Sequence, residues 1–260
     1  MSTVVVTGAA GFIGRALCGK LERDGVRVLR VLRGQALPDA PGAACVHLAG
    51  SNAPAKAAAD EEGSHREARE LAARVLAAGY GRVVLASSAI VYGDRSQTPR
   101  REDSPTEPAS AYARLKLSLE ALFSRAPHAV ARLSNVYGPG QSPQNALSDI
   151  LRQLPGDGTV RLKGPADAVR DYLFVDDAAD GLARLALSAE TGVFNLSTGR
   201  GTSVAGLVEL LAASRGLPRP LITAPASTGP SILVLDPARA AARLGWTART
   251  PLEEGLKALL

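Results

Sequence analysis

The chain has 260 residues, a formal net charge of +5, 46% hydrophobic residues and 21% charged residues, which allows one or two ordinary globular domains with a core that needs no staples. Its two cysteines, Cys18 and Cys45, lie in apolar stretches without metal-ligand spacing, so a reduced, cytoplasmic protein without a metal site is expected. No apolar run approaches ~18 residues, and the 25 Arg and five Lys are scattered rather than striped, which argues against membrane spanning, secretion and nucleic-acid binding.

Thr3–Thr7 (TVVVT) is a β-branched run suited to a strand buried on both faces. The segment from Phe12 places Phe12, Ile13, Leu17 and Leu21 on one helix face and stops at Gly25. Strands are predicted at Val26–Leu32, Ala44–Ala49, Arg82–Ser87 and Ala129–Ser134, and helices at Glu62–Ala78 and Ala109–Ser124. Such alternation predicts an α/β fold around a parallel sheet. After Gly138, loops rich in Gly and Pro separate shorter elements, with helices expected at Asn145–Gln153, Val175–Leu187 and Val204–Ser214, and a capped helix start at Asp236-Pro237. The change in texture divides the chain into residues 1–138 and a smaller α/β lid, 139–260, that shares some elements with the first.

Gly8-Ala-Ala-Gly11-Phe-Ile-Gly14 joins the first strand to the first helix. Glycine there permits a tight turn, close approach of backbone to a pyrophosphate and close helix–strand packing. About 20 residues on, where an acidic residue would take the ribose hydroxyls of NAD, the chain carries Arg33, which suits the 2′-phosphate of NADP. NADP is therefore favoured over NAD. Tyr112 and Lys116 are four apart on one helix face, where a cation lowers the pKa of a phenol and readies it for proton exchange. Ser88, at the end of a strand, offers a hydroxyl on the ligand-bearing edge of the sheet. His47, inside an apolar run, reads as a core residue.

These pieces occur in one order together with His47-Leu-Ala-Gly50, Ser87-Ser-Ala-Ile-Val-Tyr-Gly93, Ser134-Asn-Val-Tyr-Gly-Pro139 and Arg170-Asp-Tyr-Leu-Phe-Val-Asp-Asp177. In that order they resemble the extended short-chain dehydrogenase/reductases, the NAD-dependent epimerase/dehydratase family, over nearly the whole chain. The resemblance implies a Rossmann-type doubly wound parallel sheet with a C-terminal substrate domain, a homodimer, and a nucleotide-sugar substrate. It implies Tyr112 as acid/base, Lys116 holding the nicotinamide ribose, and Ser88 on the reacting oxygen. Gly8, Gly11, Phe12, Ile13, Gly14, Arg33, Leu48, Ala49, Gly50, Ser87, Tyr112 and Lys116 would line the cofactor. Asn135, Arg170 and Ser88 would touch the substrate, Arg170 at its diphosphate.

The chain also departs from the family. Ala89 and Ile90 follow Ser88 where dehydratases and decarboxylases carry an acid, which disfavours both reactions, and Arg33 with an exchangeable NADPH then favours a sugar 4-ketoreductase, with a 4-epimerase as the alternative. Ala226-Ser-Thr-Gly-Pro230 stands where a second diphosphate arginine is usual, leaving Arg219 as a substitute. Only Gly34–Ala43 lies between the second and third strands, where the family inserts a helix, an edge strand and another helix. Ten residues reach ~33 Å, enough to cross a strand and return but not to build that insertion. A sheet lacking its outer strand, an open adenine pocket and weakened cofactor binding are expected. These departures also allow a non-catalytic member that senses cofactor or binds a partner.

Overall fold

The computed structural model describes residues 2–50, 59–125 and 127–259. At its centre is a six-stranded parallel sheet. Numbered along the chain, its strands are β1 (Thr3–Thr7), β2 (Arg27–Val31), β3 (Ala44–His47), β4 (Arg82–Ser88), β5 (Ala129–Leu133) and, after three strands outside the sheet, β9 (Gly192–Leu196). They lie in the order β2-β1-β3-β4-β5-β9. The direction of strand succession reverses at β1, so a crevice opens beyond the carboxyl ends of β1 and β3.

Side-chain alternation along each strand divides the core into two layers. Val4 and Val6 pack with Leu17 and Leu21 of helix α1 (Phe12–Arg23) and with Leu182 and Leu185 of Val175–Leu187. Val5, Leu85 and Val130 face Ala72 and Val75 of α2 (Glu61–Ala77) and Leu115 and Leu119 of α3 (Ala111–Glu120). Both faces of the sheet are thus covered, as its near-continuous Val/Leu strands require.

β2 ends the sheet, as the short Gly34–Ala43 connection predicts, and residues 34–43 contain neither helix nor strand. The connection acts as a strap. Leu37, Ala40 and Ala43 join the core layer of Val5, Val31 and Tyr80, and the Tyr80 hydroxyl donates to the Pro38 carbonyl at 3.1 Å. Arg27 and Arg30 stand on the free edge, where charge discourages strand addition, and Arg30 pairs with Glu22 at 2.6 Å.

The second unit is built on β6 (Asn135–Tyr137), β7 (Thr159–Arg161), β8 (Val169–Phe174), β10 (Gly201–Ser203), β11 (Leu221–Thr223) and β12 (Ile232–Leu233). β8 pairs with β6, β10 and β12, while β7 pairs with β11. Helices α4 (Ala146–Gln153), α6 (Val204–Ser214) and α8 (Leu252–Lys257) close over Tyr137, Ile150, Val160, Leu211 and Leu256. The chain first leaves the central sheet after Leu133, since β6 already pairs with β8 ahead of Gly138. It returns through α5 (Val175–Leu187) and β9, because the sixth strand and its covering helix come from the C-terminal half. The expected helix start at Asp236 forms α7 (Ala238–Leu244), with the Asp236 carboxylate accepting from the Ala238 N–H. Among the described residues no helix is long and apolar enough to cross a membrane.

The strap yields a stability test. Tyr80→Ala removes a buried ring that anchors it and is expected to cost about 3 kcal/mol. Tyr80→Phe removes only the bond to Pro38 and should cost about 1 kcal/mol. Urea denaturation of the two variants measures both, and equal losses would mean that the ring does not hold the strap.

Candidate active site

The glycine loop has the shape that a dinucleotide needs. Gly8 has φ of +69°, and a Cβ there would lie 2.9 Å from the Ala49 nitrogen; a Cβ on Gly14 would lie 2.3 Å from the Gly8 carbonyl oxygen. α1 starts at Phe12 behind Gly11, with no side-chain cap and no acidic residue in its first turn. Its first N–H groups are therefore available to an anion. Leu48, Ala49 and Gly50 leave β3 directly beside this loop. Thr7 ties the two together: its hydroxyl accepts from the Ala49 N–H at 3.2 Å and shares a 2.8 Å hydrogen bond with His47 Nδ1. These residues fit the pyrophosphate and adjoining riboses of NAD(P). Arg33 lies just beyond β2 and is exposed, on the side left open by the strap.

His47 is buried in the core, as its apolar setting predicts. Burial, reinforced by the Lys116 charge, lowers its pKa to about 4, so the imidazole is neutral at physiological pH.

Helix α3 carries Tyr112 and Lys116, and starts at Ser110, whose hydroxyl accepts from the Ala113 N–H. The Lys116 ammonium lies 5.7 Å from the centre of the Tyr112 ring and donates to the Ala86 carbonyl at 3.0 Å. Ala86 is two residues before Ser88, which ends β4, so the bond from Lys116 sets the Tyr112–Lys116 pair against the strand end that carries Ser88. The Ser88 hydroxyl accepts a long 3.4 Å bond from the Ile90 N–H.

Ser87, expected to line the cofactor, turns its side chain inward. Its hydroxyl is buried and donates to Glu120 at 2.5 Å, because strand alternation turns it toward α3. Its side chain is thus committed to the interior, and a contact with the cofactor would have to come from its backbone. Glu120 in turn forms a buried ion pair with Arg132 at 2.7 Å, and the Arg132 guanidinium stacks 4.5 Å from the Tyr92 ring centre. Sequence reasoning missed this network. An arginine inside the apolar run Ala129–Leu133 was the available signal.

On the substrate side, Asn135 is exposed at the start of β6, in register with Tyr172. A cavity of about 670 Å³ is lined by Asn145, Arg152, Arg161, Lys163, Arg170 and Tyr172 among others. Arg170 reaches it, but pairs with Asp94 at 3.1 Å rather than with either neighbouring aspartate in sequence. Asp171 turns the other way and accepts from Thr198 and Gly199, while burial raises its pKa. Arg219 does not take the place of the missing arginine: it is exposed and pairs with Glu209. Arg152, Arg161 and Lys163 also line the cavity, where Arg152 and Lys163 pair with Asp149 and Arg161 pairs with Asp157.

The family profile described as the NAD dependent epimerase/dehydratase family matches residues 4–197. The chain belongs to that family. It is 30% identical over 190 residues to a dTDP-L-rhamnose 4-epimerase of Burkholderia thailandensis, a match covering 68% of this chain and 52% of that protein, so it spans about half the relative's length. A dTDP-6-deoxy-L-talose 4-dehydrogenase (NAD(P)(+)) of Kitasatospora kifunensis is 28% identical over 298 residues, covering 98% and 94% of the two chains. The crystal structure of a UDP-glucose 4-epimerase from Thermotoga maritima with UDP-glucose superposes with a TM-score of 0.85 at 27% identity, covering 98% and 96%.

The neutral His47 makes stability depend on pH. Its folded pKa of about 4 lies below the ordinary 6.5, so on acidification the unfolded chain takes up the proton first. The contribution of the neutral imidazole is complete above about pH 6.5 and is lost as pH falls toward 4, by about 3 kcal/mol. Urea midpoints at pH 7 and pH 4 should therefore fall further for the wild type than for His47→Gln. Equal falls would exclude His47 as the source.

Proposed function

We propose that this chain is an NAD(P)-dependent oxidoreductase acting at a ring carbon of a nucleotide-activated sugar, with reduction of a 4-keto group as its reaction. The observation that carries this reading is the Tyr112–Lys116 pair beside Ser88, set at the same sheet edge as the glycine loop. The Tyr112 phenol gives its proton to the carbonyl oxygen as that oxygen gains charge, and Ser88 holds the oxygen by a hydrogen bond. Lys116 steadies the phenolate left behind and offers N–H donors to ribose hydroxyls. When bound, the cofactor supplies hydride transfer from nicotinamide C4.

Several features support this choice within the family. Ala89 is buried and, with Ile90, provides no acid/base partner for loss of water or carbon dioxide. Arg33 favours NADPH, an exchangeable reductant, and the talose dehydrogenase covering nearly the whole chain is named for both nucleotides. Arg152, Arg161, Lys163 and Arg170 line the cavity and, although each is paired with a carboxylate, offer cationic donors to a diphosphate. The second reading is a 4-epimerase, favoured by the rhamnose and glucose 4-epimerases among the relatives. Both readings place the cofactor with an open adenosine side, so calorimetric titration should give a Kd for NADPH or NADH weaker than ~1 μM. Tighter binding would mean that the strap compensates for the missing strand.

Turnover decides between the readings. With dTDP- or UDP-linked 4-keto sugars, stoichiometric oxidation of NADPH is expected. Product inverted at C4 without net cofactor use would identify an epimerase. Tyr112→Phe should lower turnover by roughly 10²–10⁴-fold while leaving cofactor affinity within about twofold. A variant that turns over normally would remove Tyr112 from the mechanism.

A further inference from the structure

Arg170 is the residue that the family resemblance sets against the diphosphate of a substrate, yet its guanidinium is already engaged. One terminal nitrogen donates to the Val169 and Ser231 carbonyls, each at 2.8 Å; the other donates to the Ser231 hydroxyl at 2.8 Å and to the Asp94 carboxylate at 3.1 Å. Of these partners, the two carbonyls and the hydroxyl are neutral and only Asp94 carries charge. Resting on the nucleotide-sugar reading above, we propose that Asp94 determines anion affinity in the cavity: its carboxylate is the internal counter-ion of Arg170, and a ligand's phosphoryl oxygens bind by replacing it.

The local construction allows that exchange. Asp94 and Arg170 are about one-third and one-fifth exposed, so the pair is reached by solvent and by ligand. The Asp94 backbone does not depend on its carboxylate, because its carbonyl accepts from the Ile232 N–H at 2.5 Å. Further along the same loop, the Arg100 N–H donates to Val234 and the Asp236 N–H donates to Arg100. The side chain can swing away while the loop stays stitched to β12. Arg170, held by the Val169 and Ser231 carbonyls, stays where it is.

Charge then decides occupancy. A carboxylate and a phosphoryl anion both seated on one guanidinium repel each other, so the ligand binds Arg170 more tightly once Asp94 has left it. The Ser231 hydroxyl, which donates to Asp94 at 2.5 Å, is free to turn to the incoming oxygen once Asp94 leaves. A brace role for Asp94 makes the opposite prediction. If the carboxylate only fixed Arg170 for the ligand, weakening it would weaken binding.

Asp94→Asn tests this, because it keeps the shape and an acceptor for Ser231 while removing the charge. Calorimetric titration of wild type and variant with UDP, and with uridine as the phosphate-free control, should show UDP binding about fivefold tighter to the variant and uridine binding unchanged. UDP that binds both proteins equally, or binds the variant more weakly, overturns the role of Asp94 and leaves the nucleotide reading intact. UDP that binds neither overturns both. Thermal melting checks that the variant is folded, and Asp94→Ala, with the same tightening expected, serves if Asp94→Asn is not.

Discussion

The active-site edge depends on the buried ion pair between Glu120 and Arg132. Both side chains are 6% exposed, so each charge has given up its hydration and relies on the other. Removing one partner from such a pair typically costs about 3–5 kcal/mol, because the remaining charge is left buried and uncompensated. That penalty fixes geometry. Glu120 is the last residue of α3, and its carboxylate also accepts from Ser87 of β4, next to Ser88. One turn back, Lys116 reaches the Ala86 carbonyl; one turn further back stands Tyr112. Residues four apart on a helix share a face, so pinning Glu120 to two strands also sets the height of Lys116 and Tyr112 above the sheet. The same pair organises the opposite side. Arg132 stacks on Tyr92, whose hydroxyl donates to Asn195 of β9, and so links the sixth strand to the loop after Ser88.

A second constraint is length. With twelve residues between β2 and β3, the chain can cover one sheet face but cannot add a strand. Leu37, Ala40 and Tyr80 show how the covering is achieved, and Arg27 and Arg30 show how the free edge is kept soluble. The cost falls on one end of the cofactor site. Around the pyrophosphate and nicotinamide ends, Gly8, Gly14, Thr7 and Lys116 are placed by buried partners, whereas Leu32 and Arg33 at the adenosine end are exposed. On the proposed reading, the preformed contacts lie on the half of the dinucleotide nearest the chemistry.

These two constraints also explain what could be read from the chain alone. β1, β3, β4 and β5 agree with their predicted spans to within a residue or two, since strands covered on both faces show as unbroken apolar runs. The Ala109–Ser124 helix is shorter, Ala111–Glu120, with a tight turn at Ala121–Phe123, because Ser110 caps its start and periodicity cannot distinguish the two helix types. The short strands from β6 to β12 left no comparable signal. They have two to six residues each, and β8 depends on partners from distant parts of the chain. The proximity of Tyr112 and Lys116 was legible because their spacing is local, and the position of Ser88 because it ends the apolar run of β4. Arg170 was legible as a residue but not as an interaction, since the acid it meets is 76 positions away.

Electrostatics ties the buried core to the chemistry at one further point. Lys116 carries its charge beside a phenol and within the field of His47, a group that would itself become cationic in water near pH 6.5. Burial of His47, which packs against Phe123 at 6.2 Å between ring centres, and the nearby Lys116 charge keep the imidazole neutral at working pH. Were it protonated, a second positive charge would stand behind Lys116 and would disturb the bond from Thr7 to the loop at Ala49. The histidine thus contributes by staying uncharged: it fills the core, joins the two loops of the glycine cradle, and leaves the positive field at the Tyr112 face to Lys116.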